Sequence, residues 1–554
     1  MLDNYKSLMS SLAQEFPTIA QAMIHHANTR GEPMSFKDMP YLPQMYRDIP
    51  KLTEVSVMKA VQTGLSEFFI CQTLYEAGWQ GRIVAYVLPT FSIRDRFVSS
   101  RINKILMSSK SYREKLPKAN DVGNNRIKRF GKGSLLFLGS NTPGDFVEFS
   151  ADTFIIDEID QCDFDNITKG KDRIRASKSP KMYELGNPTL PNIGISKLYN
   201  ESDQRLWHCK CPRCGKWLNL DWFENFVYKN DNGVYLPRDP SFKEEDLDLN
   251  NITYFKDYIM PVCNHCHKPF DRQDIGEWIP KYTTIDKAGY RMTRLDILSQ
   301  HTGDLYKEWI LAQGNNARIS TFYTSVLGMP FEFAGAKITS EMIHNCLGDY
   351  EMQYYGDDSL EGRMVCMGVD VGALLNVQIS TQYLDENQEP RRKVLLAIAC
   401  RSFEELQGLI MSFHVQTVVI DSMPELRKAQ ELRDWGLDND INIWLCRFYP
   451  TPRIGKQQYG RKLDYSKRII TVDRTQIMDV TFDEVKNAEK KYPPDVLNIL
   501  GWSDQMKASV RVYDENKSKI VWTEGSKADH YRFADVYDRI AFDLGSYTAT
   551  YSSV

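Results

Sequence analysis

Short apolar runs that end on acids recur along the chain. From about residue 52 to 200, five runs of strand length, LTEVSVMKAV, RIVAYVLPT, SLLFLGS, TFIIDEID and KMYELGNP, alternate with segments of helical pattern. Runs of Val, Ile and Leu without strict alternation suit strands buried on both faces, so this region predicts a parallel α/β sheet. A second series follows: VCMGVDVG, NVQISTQYL, KVLLAIAC, a helix from Phe403 to Phe413, and TVVIDS. Three runs carry acids at their ends: Asp157 and Glu158 in TFIIDE, Asp370 in MGVDVG, and Asp421 in VVID. A carboxylate on the tip of a buried strand stands at the sheet edge where α/β proteins bind ligands.

At 554 residues the chain exceeds one core and predicts about three domains. Residues 1–35 read as a helical lead-in and 36–205 as the first sheet domain. Two cysteine clusters, split by the acidic loop DPSFKEEDLDLNN, make 206–280 an expected insertion, and 281–335 completes the first domain. The hydrophilic stretch 336–362 has the acids and glycines of a linker, and 363–554 holds the second sheet.

Composition narrows the class. With 42% hydrophobic and 26% charged residues, the chain is that of a globular protein and not a disordered one. It has no apolar run long enough to span a bilayer, and MLDNYKSLMSSLAQEF carries charges through its mildly apolar start, so neither a membrane span nor secretion is expected. Eleven cysteines are too sparse for a disulfide framework, and five of them fall in two tight clusters, which points to metal in a reducing compartment such as the cytoplasm. A net charge of −4 excludes a wholly basic surface, yet two stretches are locally basic: twelve Lys or Arg against three acids from Arg94 to Lys132, and eight against two from Arg447 to Arg474. Such stretches suit a phosphate backbone.

The segment VSVMKAVQTGLSEFF sets Gly64 and Ser66 between a β-branched strand and a helix, as a phosphate loop requires. Its amides would face phosphate and the Ser66 hydroxyl would ligate magnesium. The pattern departs from the usual one, because Leu65 stands where a lysine normally precedes the hydroxyl residue. Lys59, at the head of the loop, is then the cation expected to reach the phosphates. Asp157 and Glu158 fit a magnesium-shell acid and a base for the attacking water.

HCKCPRCGKW and VCNHCHKPF each hold a C-x-x-C, at Cys211 and Cys214 and at Cys263 and Cys266. Four thiolates suffice for a closed structural zinc site, with His208, His265, His267 and Cys209 as possible substitutes. Farther on, Asp370, Asp421 and a third acid from a late helix would make an RNase H-like nuclease site, in which two divalent ions, magnesium or manganese, cleave a phosphodiester.

The order KAVQTGLSE, TFIIDEID, LYNESDQRLWHCKCPRCG, with GEW and FYTSVLGMPFEF beyond it, resembles the large terminase subunit of tailed phages, lambda-type or gpA-like branch, over about residues 36 to 545. The resemblance implies an ASCE-type P-loop ATPase domain with a zinc-ribbon insertion, followed by an RNase H-like nuclease domain. It implies ATP binding with Lys59 as the front lysine, Gln44 of YLPQ as an adenine-reading residue, and Asn187 and Thr189 of LGNPT coupling hydrolysis to movement. It favours the all-cysteine zinc set. For the third nuclease acid it favours Asp535, with Asp529 and His530 as near neighbours. Gln62 stands where this branch often has Arg, so an activating arginine is expected from elsewhere, for example Arg126, Arg129 or a neighbouring subunit. The activity implied is ATP-driven packaging of double-stranded DNA with endonucleolytic cutting. The implied partners are a small terminase subunit, the portal of the prohead, and further copies in a ring of five, in the host cytoplasm and not in the mature virion. A helicase-like remodelling ATPase with an inactive RNase H-like scaffold is the alternative, and a zinc-ribbon nucleic-acid adaptor a third.

Overall fold

The computed structural model describes residues 26–32, 34–117, 125–147, 149–242, 259–272, 275–332, 335, 337–449, 458–514, 519–523 and 528–551. Residues 1–25 of the expected helical lead-in and most of the acidic loop lie outside the described residues, and 26–32 with 34–35 form no helix. The chain divides into two compact units, Met1–Glu332 and Phe333–Val554. Among the described residues no helix is long and apolar enough to cross a membrane.

The first unit is built on strands β1 (Glu54–Lys59), β2 (Ile83–Leu88), β3 (Ile127–Phe130), β4 (Gly133–Gly139), β5 (Thr153–Ile156), β6 (Lys181–Gly186), β7 (Arg205–Lys210), β8 (Trp217–Asn219), β9 (Val227–Lys229), β10 (Tyr235–Pro237), β11 (Gly276–Ile279) and β12 (Ala288–Met292). The main sheet runs β11-β7-β12-β1-β6-β5-β2-β4-β3, with β8 also on β7, and β9 and β10 pair separately. From β7 to β4 every neighbouring pair is parallel, whereas β11, β8 and β3 are antiparallel additions. Both faces are apolar because alternate residues point to opposite sides. Val55, Val57, Val84, Tyr86 and Ile155 enter one core, and Met58, Ala85, Val87, Phe154 and Ile156 the other. Parallel strands end at the same edge, so the adjacent tips of β1, β6 and β5 bring Lys59, Asn187 and Asp157 together.

The cysteine region does not stand aside as an excursion: β7, β8 and β11 extend the sheet itself. Its core joins Cys209, Leu218, Trp222, Phe226 and Phe270 to Leu295, Leu305, Tyr306, Trp309 and Phe322. Residues 281–335 thus return one strand, β12, to the sheet and then cover the cysteine module.

The second unit contains β13 (Val365–Val371), β14 (Leu375–Leu384), β15 (Pro390–Cys400), β16 (Thr417–Asp421), β17 (Asn442–Tyr449), β18 (Lys462–Asp464) and β19 (Ile469–Asp473), with a hairpin of β20 (Val510–Asp514) and β21 (Lys519–Thr523). Its sheet order is β15-β14-β13-β16-β17-β19-β18. The first three strands form an antiparallel meander, then β13, β16, β17 and β19 run parallel. The helix His530–Tyr551 packs on β13. Gly368 permits the close approach, since a Cβ there would lie 2.0 Å from the Asp538 amide nitrogen and 2.2 Å from the Ala534 carbonyl oxygen.

Residues 336–362 are not a free linker. Ile338, Ile343, Cys346, Met352 and Leu360 are buried in the core of the second unit, and Leu347 bridges to Tyr492. The polar majority of that stretch is its solvent side.

Candidate functional sites

The loop after β1 caps the helix Leu65–Gly78 through Gly64, whose φ of 77° is the left-handed conformation that glycine adopts without strain. It is fastened from below. The Ala60 amide donates to the Met292 carbonyl (2.8 Å), the Val61 amide to the Ser325 carbonyl (3.1 Å), and the Asn187 side-chain amide to the Lys59 and Thr324 carbonyls (3.1 and 2.9 Å). The segment FYTSVLG therefore underlies the loop. Gly328 lets it fit there, because a Cβ would meet the Met292 carbonyl oxygen at 2.3 Å.

Above the loop lies a cavity of about 350 Å³ walled by Lys59, Gln62, Gly64, Ser66, Glu67 and Arg101. Lys59 is buried, with Nζ 2.5 Å from Glu158 Oε1 and 3.9 Å from Asp157 Oδ1. Burial works against its charge, but Glu158 and Asp157 outweigh it and hold its pKa above the ordinary lysine value. Burial pushes the Asp157 carboxyl up, and Lys59 only moderates that. Asp157 accepts from the Tyr86 hydroxyl (2.8 Å) and the Glu158 amide (3.1 Å). Glu158 adopts φ 56° and ψ 48°, a conformation sparsely populated by residues other than glycine, and its Oε2 accepts from the Asn187 amide at 3.3 Å. Asp157, Glu158, Lys59 and Asn187 thus stand together at the adjacent strand tips.

Other expected residues stand elsewhere. Gln44 is not among the cavity-lining residues, and its side-chain oxygen accepts from the Trp278 amide at 3.1 Å. Thr189 donates through its amide and hydroxyl to Asp160 (3.0 and 2.9 Å), whose carboxyl burial pushes up to about 6. Arg126 is paired with Asp145 at 2.7 Å, and Arg129 is exposed on β3. The cavity's second cation is Arg101, one of the twelve basic residues between Arg94 and Lys132, none of which local sequence singles out.

The four thiols of Cys211, Cys214, Cys263 and Cys266 lie within 4.8 Å of one another. Zinc–sulfur bonds of about 2.3 Å put tetrahedral sulfurs about 3.8 Å apart, and the Cys214–Cys263 separation is 3.9 Å, so the set fits that metal. The two knuckles have one design. Cys211 and Cys263 each donate an amide to the carbonyl of a lysine five residues on, Lys216 and Lys268, and Gly215 and His267 each turn at positive φ. Burial opposes the Cys263 thiolate, yet the amides of Cys266 and His265 and the neighbouring thiols bring its pKa below the ordinary value. His208 is bonded to the Leu206 carbonyl instead.

In the second unit Val369 pairs with Ile420, which sets Asp370 and Asp421 side by side at the ends of adjacent parallel strands. Burial pushes both carboxyls up; at Asp370 the charges of Asp421 and Asp529 act in the same direction and His530 opposes. His530 Nδ1 lies 2.9 Å from Asp370 Oδ2, and Asp421 accepts from the Met423 amide at 3.0 Å.

Asp535, the expected third ligand, does not reach this site. It is fully buried, 2.5 Å from the Lys490 ammonium and 3.2 Å from Arg532, with Gln378 donating at 2.7 Å. These cations hold it ionised against its burial, well below the usual carboxylate range. The reason is helical phase: five residues separate it from His530, about 140° around a helix. At the start of that helix His530 meets Asp370, whereas Asp529 accepts from the Ser509 hydroxyl at 2.7 Å and acts on Asp370 as a nearby like charge.

Residues 29–279 match the family model described as phage terminase large subunit gpA, ATPase domain. No curated protein matches the chain. Among solved structures it is similar to the large terminase of bacteriophage HK97, at 10% identity over 96% of this chain and 98% of that one, TM-score 0.46. It is also similar to a large terminase from a thermophilic bacteriophage, at 10% identity over 93% and 99%, TM-score 0.31. The large terminase nuclease of thermophilic phage G20c aligns at 15% identity over 38% of this chain and 96% of that one, TM-score 0.24. Residues 29–279, somewhat under half of the chain, are thus similar to the ATPase domain of gpA-type phage terminase large subunits.

Proposed function

We propose that the chain is a packaging motor that hydrolyses ATP to move double-stranded DNA and cuts that DNA with divalent metal. The observation that carries the motor half is that Lys59, which lines the cavity over the loop, meets Glu158, with Asn187 bonded both to Glu158 and to the Lys59 carbonyl. β6 stands between the loop strand β1 and the acid strand β5, and a glutamate follows the strand-tip aspartate, which supports an ASCE-type P-loop ATPase. Magnesium bound at Ser66 and Asp157 would neutralise phosphate charge. Glu158 orients the attacking water and accepts its proton, Lys59 turns from Glu158 to the phosphates, and Asn187, bonded to both Glu158 and the loop, reports the change to the underlying FYTSVLG segment.

An antiparallel meander continued by parallel strands supports an RNase H-like fold for the second unit. Asp370, Asp421 and the Asp529–His530 pair would hold two divalent ions that activate water and stabilise the leaving oxygen. The cysteine set would hold one structural zinc. A small terminase subunit, a portal and a five-membered ring in the host cytoplasm belong to the same proposal through the family resemblance.

The test is supercoiled plasmid with manganese, with and without ATP, read by gel and phosphate release. Glu158→Gln should stop hydrolysis while nucleotide still binds, and Asp370→Asn should stop cutting while hydrolysis continues. Cutting by Asp370→Asn at the parental rate would leave a remodelling ATPase with an inactive scaffold as the function.

A further inference from the structure

The loop has neither the lysine that in the usual phosphate loop precedes the hydroxyl residue, where Leu65 is buried in the core, nor an arginine at position 62, where Gln62 is neutral. Lys59 is already committed to Glu158 and stands near Asp157. With Glu67, two cations face three carboxylates before a nucleotide enters, so a magnesium triphosphate would meet a site poor in positive charge. Resting on the reading of this cavity as a nucleotide site, we propose that Arg101 is its second phosphate-binding cation, standing in for the missing loop lysine.

Arg101 lines the cavity beside Ser66 and Glu67, and its side chain is about one-third exposed, accessible from the opening yet fixed. One of its Nη atoms donates to Glu67 Oε2 at 3.0 Å. Glu67 is itself fixed, because its other oxygen lies 2.8 Å from Nε2 of His26, whose side chain is fully buried and whose Nδ1 lies 3.1 Å from the Tyr112 hydroxyl. The guanidinium also lies over the Phe97 ring, 5.6 Å from its centroid. Tyr112, His26, Glu67 and Arg101 thus form a chain that ends at the phosphate side of the cavity. A guanidinium has five N–H donors in a planar fork, so the bond to Glu67 leaves donors for a phosphate oxygen. Glu67 immediately follows Ser66, the residue expected to hold magnesium, so the arginine is anchored to the helix that caps the phosphates.

The full chain tests this with magnesium ATPγS, magnesium ADP and AMP as probes in calorimetry. Arg101→Ala and Arg101→Gln should weaken ATPγS by about 10- to 100-fold, the worth of a charge-assisted hydrogen bond or two, and leave AMP unchanged. Arg101→Lys should recover part of the loss, since it restores charge without the fork. Equal losses for ATPγS and AMP would overturn the proposal in favour of a merely structural arginine. Unchanged ATPγS affinity, with hydrolysis still blocked by Glu158→Gln, would also overturn it and leave the nucleotide site standing. If Lys59→Ala and Glu158→Gln change neither binding nor hydrolysis, the nucleotide reading itself falls, and Arg101 with it.

Discussion

The tip acids of the first unit stand beside a cation of their own, Lys59, whereas among the described residues no lysine or arginine pairs with Asp370 or Asp421 in the second. The second unit has cations in its interior, but they are held elsewhere. Lys490, Arg392 and Arg532 meet Asp535, Arg392 also meets Asp538 and Glu484, and Arg539 meets Glu484 and Asp543. Burial raises the tip aspartates of both units, Asp157 as well as Asp370 and Asp421, but at Asp157 the Lys59 charge moderates the rise. An acid pair without such a lysine is pushed toward protonation by burial and by its own repulsion, and a divalent ion relieves both. The second unit thus separates two kinds of carboxylate: those paired with buried cations, and Asp370 and Asp421, which meet no lysine or arginine among the described residues.

Substitution of the two kinds should break the comparison most sharply. Asp370→Ala or Asp421→Ala removes a ligand from a two-ion displacement and should lower plasmid cleavage by about a thousandfold or more, with the melting transition of the second unit intact. Asp535→Ala should act in the opposite way. It leaves Lys490 and Arg532 buried without their partner, a loss of about 3–5 kcal/mol measurable by urea denaturation. ATP turnover should survive all three changes, since Glu158 and Lys59 lie in the other unit. A stable Asp535→Ala protein that cannot cut would return Asp535 to the metal site.

Acid should distinguish the units next. Glu484 is completely buried, and although burial alone would raise its pKa, Arg392, Arg539 and Lys490 bring it down to about 2. A carboxyl depressed on folding contributes stability above its unfolded value, near 4.5, that is lost as pH falls through its folded value. Between about pH 4.5 and 2 the second unit should therefore lose about 3 kcal/mol from this residue, and Glu484→Gln should flatten that acid limb while lowering stability at neutral pH. Tryptophan fluorescence of Trp522, which lies 6.0 Å from the Arg532 guanidinium, can report it.

The zinc module offers an intermediate effect. Cys211→Ser or Cys266→Ser should remove about one zinc per chain by elemental analysis and loosen the core that joins Trp222 and Phe226 to Trp309. Because β7 and β11 belong to the main sheet, the loosening should also lower the melting temperature of the first unit, which a detached insertion would not do.

Strand tips were the legible part of this chain. TFIIDE, MGVDVG and TVVID each combine an apolar run with a terminal acid, and that pattern fixes both burial and the edge at which the acid emerges. The C-x-x-C pairs were legible for a similar reason, since ligand type and local spacing are written in the sequence. Residues whose place depends on orientation or tertiary packing were not. The resemblance favoured Asp535 over Asp529 and His530, and helical phase from the start at His530 decides against it. Ile338, Ile343, Met352 and Leu360 are too irregularly spaced among polar residues to announce a buried segment; the stretch is tied to the core by backbone bonds that sequence does not show, from Gln353 to Leu395 of β15 and between Tyr492 and both Cys346 and Gly348. Arg101 was hidden by abundance, as one of many basic residues whose contacts with Glu67 span 34 positions of sequence.

Gly368→Ala is the finest probe of how the second site is assembled. The strand β13 is buried along its whole length, and the added methyl group would meet backbone atoms of the C-terminal helix at 2.0 and 2.2 Å, not the yielding end of a side chain. The helix must then move as a body, at an overpacking cost of about 1–3 kcal/mol. His530 stands at the start of that helix, 2.9 Å from Asp370, so displacement should reach the acids as well as the core. We expect a modest drop in the melting temperature of the second unit together with slower cleavage, while ATP turnover by the first unit stays unchanged. Gly408→Ala, on the helix Phe403–Ser412 of the same unit, is the control, because no atom would lie within 4 Å of its methyl group. If Gly368→Ala lowers stability without slowing cleavage, the helix start does not position the site, and Asp370 and Asp421 alone carry the metal-binding reading.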